Sequence, residues 1–392
     1  MPAASSFAVQ VDANLRKRNA IFEAFFSQQS HRLALACREM AKRFLSGGRL
    51  LAFGRGPYAT DAQHVSVEFV HPVIVGKRAL PAIDLSLVFR PWLEALLEPN
   101  DIVIGFGPPG GDPEISDALA SAAARGAMTF ALPGTNGSYS CDTGAEDSFI
   151  HQELIEILYH TLWETVHVFF EHRELGLDVG AAGFLYPFLG QEKQETAGII
   201  EDVATSIEMK VADDANLRLQ VAHEQAGAIA NAAVAISERV QDGGKLILFG
   251  NGGSATDAND WAIDCVAPPP GYRPVPAVSL ALEPANITAL ANDVGTEVIF
   301  LRQLIAQARP NDVAVAISTS GGSRNVVMAL EEARKRNLLT VALLGYDGGE
   351  IIRRGLADHP LIVRSDYIPR IQEVQASIYH TIRDLMSVIE GG

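Results

Sequence analysis

The sequence predicts an α/β protein made of two copies of one unit, each a parallel β-sheet with helices on both faces. This is a three-layer αβα, flavodoxin-like arrangement. Short apolar segments alternate with amphipathic segments along the whole chain, which is typical of parallel sheets. Similar segments occur twice in the same order, and a glycine-rich turn follows the first apolar segment of each copy.

Three pairs of similar segments define the duplication. Two of the pairs are short: DANLR at 12–16 and 214–218, and LYHT at 158–161 with IYHT at 378–381. The longest pair, 53–68 and 249–264, shares seven of sixteen residues. We therefore predict a first domain over 1–180 and a second over 195–392. The stretch 174–196 is rich in glycine and apolar residues without periodicity, which predicts a linker.

Each repeat contains the same series of predicted elements. Apolar runs of four to six residues predict buried parallel strands, and apolar residues at helical spacing predict the covering helices. The predicted strands are 49–53, 82–87, 101–106 and 127–132, then 245–249, 277–281, 312–317 and 339–344. The predicted helices are 32–44, 114–124 and 152–170, then 221–240, 325–336 and 372–389. Ligands of such sheets bind at the carboxyl ends of the strands.

Composition argues against several classes of function. The chain has 31 basic and 47 acidic side chains, so it would repel nucleic acid. No apolar run is long enough to span a membrane, and the first residues do not resemble a secretory signal. Cys37, Cys141 and Cys265 are far apart, which predicts free thiols in a reducing compartment. We expect a cytoplasmic protein without nucleic-acid or membrane partners.

Two glycine-rich turns have the form G-x-G-x-x-A, Gly54–Ala59 and Gly250–Ala255. This form also occurs in dinucleotide-binding proteins, where an acidic residue about 20 positions later binds the ribose. The acids that follow here, Asp84 and Glu283, lie too far along the chain. We therefore expect no nucleotide cofactor.

A second loop in the second repeat predicts phosphate binding. Ser318-Thr319-Ser320-Gly321-Gly322-Ser323 places four hydroxyls and two glycines before a helix, where N–H groups and the helix dipole attract an anion. No lysine follows, so a phosphomonoester fits better than a nucleotide. An ordinary serine N-cap is the simpler alternative. The first repeat has Gly107–Asp112 instead, with two prolines and a carboxylate that would repel phosphate.

The second repeat resembles the SIS (sugar isomerase) family, and within it the phosphoheptose isomerases. The resemblance rests on DDANLR, GNGGS, ANDVGTEV, ISTSGGS, DGGE and RIQE in this order, followed by His380. It implies sugar and phosphate contacts at Asn251, Gly252, Gly253, Ser254, Asn292, Asp293, Ser318, Thr319, Ser320 and Ser323. It also implies that Gln372 binds substrate, that Gln372 and His380 ligate zinc in members that bind it, and that the histidine is an acid/base.

The two repeats depart from the family pattern in opposite ways. A His-x-x-x-Glu pair, metal ligand and base in the family, is replaced by Asp260 and Asp264 in the second repeat. The first repeat keeps His64 and Glu68, together with Gln152 and His160.

Two arrangements of the active site remain open. A composite site would combine the second repeat's phosphate loop with catalytic Glu68 and His160, and with Zn²⁺ on His64, Glu68, Gln152 and His160. A self-contained site would use catalytic Asp264 and His380, with the metal on Asp260, Asp264, Gln372 and His380.

The resemblance implies a ketose–aldose isomerase that acts on a phosphorylated sugar, such as sedoheptulose 7-phosphate, through an enediol. A non-catalytic sugar-phosphate sensor of the same family is the alternative. Sites of this family commonly lie at subunit interfaces, so we expect a homodimer of tandem chains that mimics the family's tetramer.

Overall fold

The computed structural model describes residues 2–73, 77–171 and 196–391. Nearly all of the predicted linker at 174–196 lies outside these residues. Contacts divide the chain into a first unit, Ala20–Asp213, and a second unit, Met1–Asn19 with Asp214–Gly392. The domain limits 1–180 and 195–392 stay a prediction.

The first unit contains one parallel five-stranded sheet. Its strands are β1 (Leu50–Gly54), β2 (Ala82–Asp84), β3 (Ile102–Phe106), β4 (Met128–Leu132) and β5 (Tyr139–Ser140). Helices of the first half of the chain are α1 (Pro2–Leu45), α2 (Ala59–Val70), α3 (Phe89–Leu96), α4 (Pro113–Ala124) and α5 (Ser148–Glu171). The strand order β2-β1-β3-β4-β5, with every pairing parallel, is the flavodoxin-like order.

The second unit repeats this topology. Its strands are β6 (Leu246–Phe249), β7 (Ala277–Ser279), β8 (Val313–Ser318), β9 (Leu339–Gly345) and β10 (His359–Val363). Helices of the second half are α6 (Thr196–Gln241), α7 (Gly253–Val266), α8 (Pro284–Asp293), α9 (Ile299–Gln307), α10 (Arg324–Lys335), α11 (Gly349–Arg353) and α12 (Ile368–Gly391). The order β10-β9-β8-β6-β7 is the same pattern in reverse, so the predicted tandem three-layer fold is confirmed.

Alternate residues of the second sheet pack into two separate cores. Leu248, Val315 and Leu343 lie in a core with residues of α6, α7 and α12. Phe249, Ala314 and Ala342 lie in the other core, with residues of α9, α10 and α11. Burial on both faces explains why the strands are continuous apolar runs rather than alternating ones.

The order of the strands places a crevice between β6 and β8. These strands are parallel neighbours, with Leu246 opposite Val313. The chain continues from β6 toward one edge of the sheet and from β8 toward the other. The loops after the two strands therefore diverge, and ligands of open α/β sheets bind at such a point.

The two long helices each contribute to both units. Residues 2–19 of α1 group with the second unit, where Val11 and Leu15 are fully buried in the core. Residues 196–213 of α6 group with the first unit, where Ile207 is fully buried. Both parts of each helix therefore need apolar residues, because each part contributes to a buried core.

Some elements were not predicted. The fifth strands are an edge strand of two residues, β5, and an edge strand that carries Pro360, β10. Proline is tolerated at a sheet edge, but it weakens the sequence signal for a strand. Helices α3, α8 and α9 are short and were also missed. Across the three described stretches, no helix combines the length and the apolar character needed to cross a lipid bilayer.

Candidate active site

The hydroxyl-rich loop of the second unit begins where β8 ends. Ser318 Oγ accepts a hydrogen bond from the Gly321 N–H at 3.2 Å, and Ser320 Oγ accepts one from the Gly322 N–H at 3.3 Å. Ser323 precedes α10 but makes no side-chain capping bond in the described structure. Within the first turn of α10, Asn325 Oδ1 accepts from the Val326 N–H at 2.9 Å, so this helix start carries a neutral amide and, among the described residues, no carboxylate cap. We call residues 318–323 the cradle.

The DGGE motif supports the cradle from the neighbouring loop. Gly321 has a positive φ of 59°, and a Cβ there would lie 2.2 Å from the Gly348 carbonyl oxygen. The Ile351 N–H donates to the Gly321 carbonyl at 3.1 Å, and the Gly345 N–H donates to the Thr319 carbonyl at 2.9 Å. Only glycine at position 321 permits both the loop conformation and this close approach.

The glycine-rich turn after β6 meets the cradle. Gly252 has a φ of 58°, and α7 begins at the next residue, with buried Ser254 in its first turn. Asn251 and Asn325 exchange two amide hydrogen bonds of 2.9 Å. A cavity of about 530 Å³ opens there, lined by Asn251, Thr296, Glu297, Ser323, Arg324 and Asn325. The structure thus brings the two predicted binding segments together.

The predicted sugar-contacting pair lies outside the lining of this cavity. Asn292 Nδ2 donates to Asp293 Oδ1 at 2.8 Å, and both side chains are exposed at the end of α8. Thr296 and Glu297, from the same ANDVGTEV motif, line the cavity instead. Sequence reasoning missed these residues and also Arg324, whose position directly after the cradle was the available signal.

A buried acid/base cluster lies between α7 and α12 in the second unit. His380 Nε2 is 3.1 Å from Asp264 Oδ2 and 3.7 Å from Asp260 Oδ2. The Tyr379 hydroxyl donates to Asp260 Oδ2 at 2.8 Å, and its ring stacks on Trp261. Asp260 and Asp264 share one face of α7 because they are four residues apart. Gln372 is buried on α12.

Burial controls the charge of this cluster. Burial, together with the nearby Asp260 carboxylate, raises the pKa of Asp264 to about 7, although the hydrogen bond with His380 lowers it. The buried guanidinium of Arg383 also lowers this pKa, and its Nε donates to the Asp264 carbonyl at 3.4 Å. Sequence reasoning missed Arg383, one turn after His380 on α12.

The first unit holds a corresponding cluster between α2 and α5. His64 Nε2 is 3.4 Å from His160 Nε2 and 3.8 Å from Glu68 Oε1, and all three side chains are buried. Burial lowers the pKa of His64 well below its usual value, and the neighbouring His160 lowers it further. Gln152 is buried on α5. The predicted set therefore lies on two packed helices, with a neutral His64.

In the first unit, a carboxylate side chain caps the start of helix α4. Asp112 Oδ1 accepts hydrogen bonds from the N–H groups of Glu114 and Ile115 at 2.8 and 3.2 Å, at the start of α4. Its Oδ2 pairs with Arg55 Nη1 at 2.8 Å. Asp112 thus caps α4 with a carboxylate, whereas Ser323, at the corresponding position before α10, makes no capping bond.

Comparison with known proteins identifies a matching family model and similar relatives. A family model described as SIS domain matches residues 211–345. Phosphoheptose isomerase of Geobacter sp. (strain M21) is 44% identical over 164 residues, covering 42% of this chain and 84% of that protein. Phosphoheptose isomerase of Pelobacter propionicus is 39% identical over 189 residues, covering 48% of this chain and 97% of that protein. The chain belongs to the SIS-domain family.

A solved structure extends the comparison over both units of this SIS-domain protein. The C-terminal domain of glucosamine-fructose-6-phosphate aminotransferase from Francisella tularensis aligns with a TM-score of 0.57 and 11% identity. The alignment covers 96% of each chain. At this identity the match shows the fold alone, and that fold is the tandem one.

A glycine substitution in the SIS cradle tests whether its conformation binds phosphate. We expect Gly321→Ala to lower the affinity for inorganic phosphate at least about tenfold, because the added Cβ collides with Gly348. Phosphorus NMR titration of the full chain measures this affinity. Gly111→Ala is the matched control, since that glycine also has a positive φ, 84°, but its Cβ would meet no atom closer than 4.0 Å. Equal affinities of the two variants would contradict the role of the cradle.

Ionisation of Asp264 should make the free energy of unfolding depend on pH. Its folded pKa of about 7 lies above the unfolded value of 3.8, so the folded state retains a proton that the unfolded state releases. We therefore expect its contribution to the free energy of unfolding to fall as pH rises from about 4 to about 7. Urea unfolding with a chelator should show a flatter pH dependence in Asp264→Asn. Asp293→Asn, on the surface, should keep the wild-type slope, and an unchanged slope in Asp264→Asn would overturn the assignment.

Proposed function

We propose that this protein is a phosphosugar isomerase that interconverts a ketose phosphate and an aldose phosphate through an enediol. The observation that carries the proposal is the combination, in one unit, of an open cradle and a buried carboxylate–imidazole pair, Asp264 with His380. The relatives named phosphoheptose isomerase support it, and the SIS-domain model matches residues 211–345, which include the cradle.

The substrate we propose is sedoheptulose 7-phosphate. Its phosphate would accept hydrogen bonds from the cradle and from the N-terminal turn of α10. Helix α7 starts beside the cradle and carries Asp260 and Asp264 on one face, further along its axis. The names of the relatives support a heptose.

In the self-contained arrangement, Asp264 is the base that removes the proton from carbon. A pKa of about 7 suits this role, because a large fraction is ionised near neutral pH while the carboxylate remains basic. His380, in contact with Asp264, moves the proton between the two substrate oxygens. Arg383 provides a buried positive charge that favours the enediolate. Tyr379 fixes Asp260 through its hydroxyl.

A Zn²⁺ ion fits the cluster of the first unit. Two ligands about 2.05 Å from a tetrahedral zinc lie about 3.3 Å apart, and the His64 and His160 Nε2 atoms are 3.4 Å apart. A neutral His64 has a lone pair to offer, and Glu68 adds a carboxylate. Asp260, Asp264 and His380 form a second candidate set. A bound zinc would act as a Lewis acid toward a carbonyl.

The zinc content of variants distinguishes the candidate ligand set of the first unit from that of the second. We expect the purified full chain to bind zinc, and His64→Ala to reduce its zinc content by about one ion per chain, because it removes a neutral nitrogen ligand. Elemental analysis after dialysis against dilute Zn²⁺ measures this. His380→Gln is the matched variant for the second unit. Loss in that variant alone would assign the metal to the aspartate set.

Deuterium exchange tests the proposed activity. We expect wild-type protein to incorporate solvent deuterium next to the carbonyl of sedoheptulose 7-phosphate, detected by NMR. Asp264→Asn should reduce the rate at least about 100-fold while sugar-phosphate binding persists, because the carbon base is lost. Glu68→Gln is the discriminating variant, because the composite site predicted from the sequence requires Glu68 as the base. Exchange lost in Glu68→Gln and kept in Asp264→Asn would favour the composite arrangement.

A non-catalytic sugar-phosphate sensor is the second candidate. It is favoured because Asp260 and Asp264 are engaged in internal hydrogen bonds with Tyr379 and His380. Sugar-phosphate binding without exchange, with or without Zn²⁺, would support the sensor and contradict the isomerase.

A further inference from the structure

Helix α12 carries both Gln372 and His380, so its rotation sets where the imidazole lies. One face of the helix contacts α7 through the bonds from Tyr379 to Asp260 and from His380 to Asp264. Another contact involves Ser377, one turn before His380, which meets α6. The second unit therefore holds α12 between two sets of polar contacts.

The contact with α6 is made by a fully buried arginine. Arg218 Nε donates to Ser377 Oγ at 2.8 Å, and Arg218 Nη2 donates to Asp214 Oδ2 at 2.6 Å. Both charged side chains have no exposed surface. A planar guanidinium with several fixed donors allows little freedom of rotation once they are engaged. The orientation of the Arg218 guanidinium therefore determines where the Ser377 hydroxyl lies.

The orientation of Arg218 is completed from the far N-terminal part of the chain. Asn19 Oδ1 accepts from Arg218 Nη1 at 2.8 Å, and Asn19 Nδ2 donates to the Ala215 carbonyl at 2.9 Å. Asn19 is itself buried, at 7% exposure. One amide therefore ties the last residue of the α1 segment of the second unit to both the guanidinium and the backbone of α6.

The same segment also contacts α12 directly, one turn beyond His380. Asn14 Nδ2 donates to Asp384 Oδ2 at 3.4 Å, and Arg18 Nη2 lies 3.7 Å from the same oxygen. The other oxygen, Asp384 Oδ1, accepts from the Tyr272 hydroxyl at 2.7 Å. Asn14 and Arg18 thus contact α12 directly at Asp384, while Asn19 reaches Ser377, on the other side of His380, through Arg218.

We propose that Asn19 is a positioning residue for the isomerase site, acting through Arg218 and Ser377 to fix the rotation of α12 and hence of His380. The inference rests on the proposed function, because it assigns a catalytic consequence to a contact outside the reacting groups. A displacement of a catalytic group by about 1 Å can cost about 100-fold in rate. Partial release of α12 should therefore lower kcat without removing the substrate-binding cradle.

Asn19→Ala is the test, because it removes the amide and leaves Arg218 paired with Asp214 and Ser377. We expect kcat for deuterium exchange to fall about tenfold with KM changed less than about twofold. The matched control is Val11→Ala, which truncates a fully buried residue of the same segment that belongs to the apolar core. It should lower the melting temperature at least as much, with kcat unchanged.

A double-mutant cycle tests whether Asn19 acts through Arg218 and Ser377. Because Asn19 and Ser377 act through one guanidinium, the double variant Asn19→Ala, Ser377→Ala should lose less than the product of the two single losses in kcat. Independent, multiplicative losses would overturn the route through Arg218.

A spectroscopic readout keeps the inference separate from the proposed function. The His380 ring resonances, identified by their loss in His380→Gln, should shift in Asn19→Ala and stay in place in Val11→Ala. Wild-type protein without exchange activity would defeat the proposed function, while the resonance shift would still test the positioning. Unmoved His380 resonances, or equal effects of Asn19→Ala and Val11→Ala on kcat, would overturn the inference.

Discussion

Both units must satisfy the first N–H groups of a helix that starts at the carboxyl edge of a parallel sheet. These groups have no partner inside the helix and carry partial positive charge. The two units meet the need differently. In the first unit Asp112 caps α4 and pairs with Arg55, while in the second unit Ser323 makes no capping bond and Asn325 accepts from the Val326 N–H of α10. The start of this helix is thus met by a carboxylate in one unit and by a neutral amide in the other.

The same sheet topology brings the remaining groups within reach. The turn after β6 leads directly into α7, which carries two carboxylates on one face, and α12 packs against that face. Burial changes the protonation of these groups. It holds the pKa of Asp264 at about 7 and leaves His64 of the first unit neutral. In water, the same side chains would be a carboxylate and a partly protonated imidazole.

The sequence was informative where the signal is local. The duplication, the buried strands, the cradle and the i, i+4 pairs on α2 and α7 are all short patterns, and the tandem fold that they predict is confirmed. Contacts between residues far apart in the sequence could not be predicted. Asn14 and Asn19 look like part of the first domain, but Asn14 bonds Asp384 of α12, 370 residues later, and Asn19 bonds the Ala215 carbonyl of α6, 196 residues later. The lining of the cavity by Glu297 and Arg324 likewise depends on loops that meet only after folding.

The grouping of residues 2–19 with the second unit affects how this fused chain can be divided or recombined. A cut in the connecting stretch, the obvious choice from the sequence, would separate Val11, Leu15 and Asn19 from the core and the buried network that they complete. The interchangeable modules begin and end inside α1 and α6, in the middle of uninterrupted helices. A protein divided at the linker would therefore carry the second unit without residues 2–19 of α1. This is a physical reason for the two copies to remain joined.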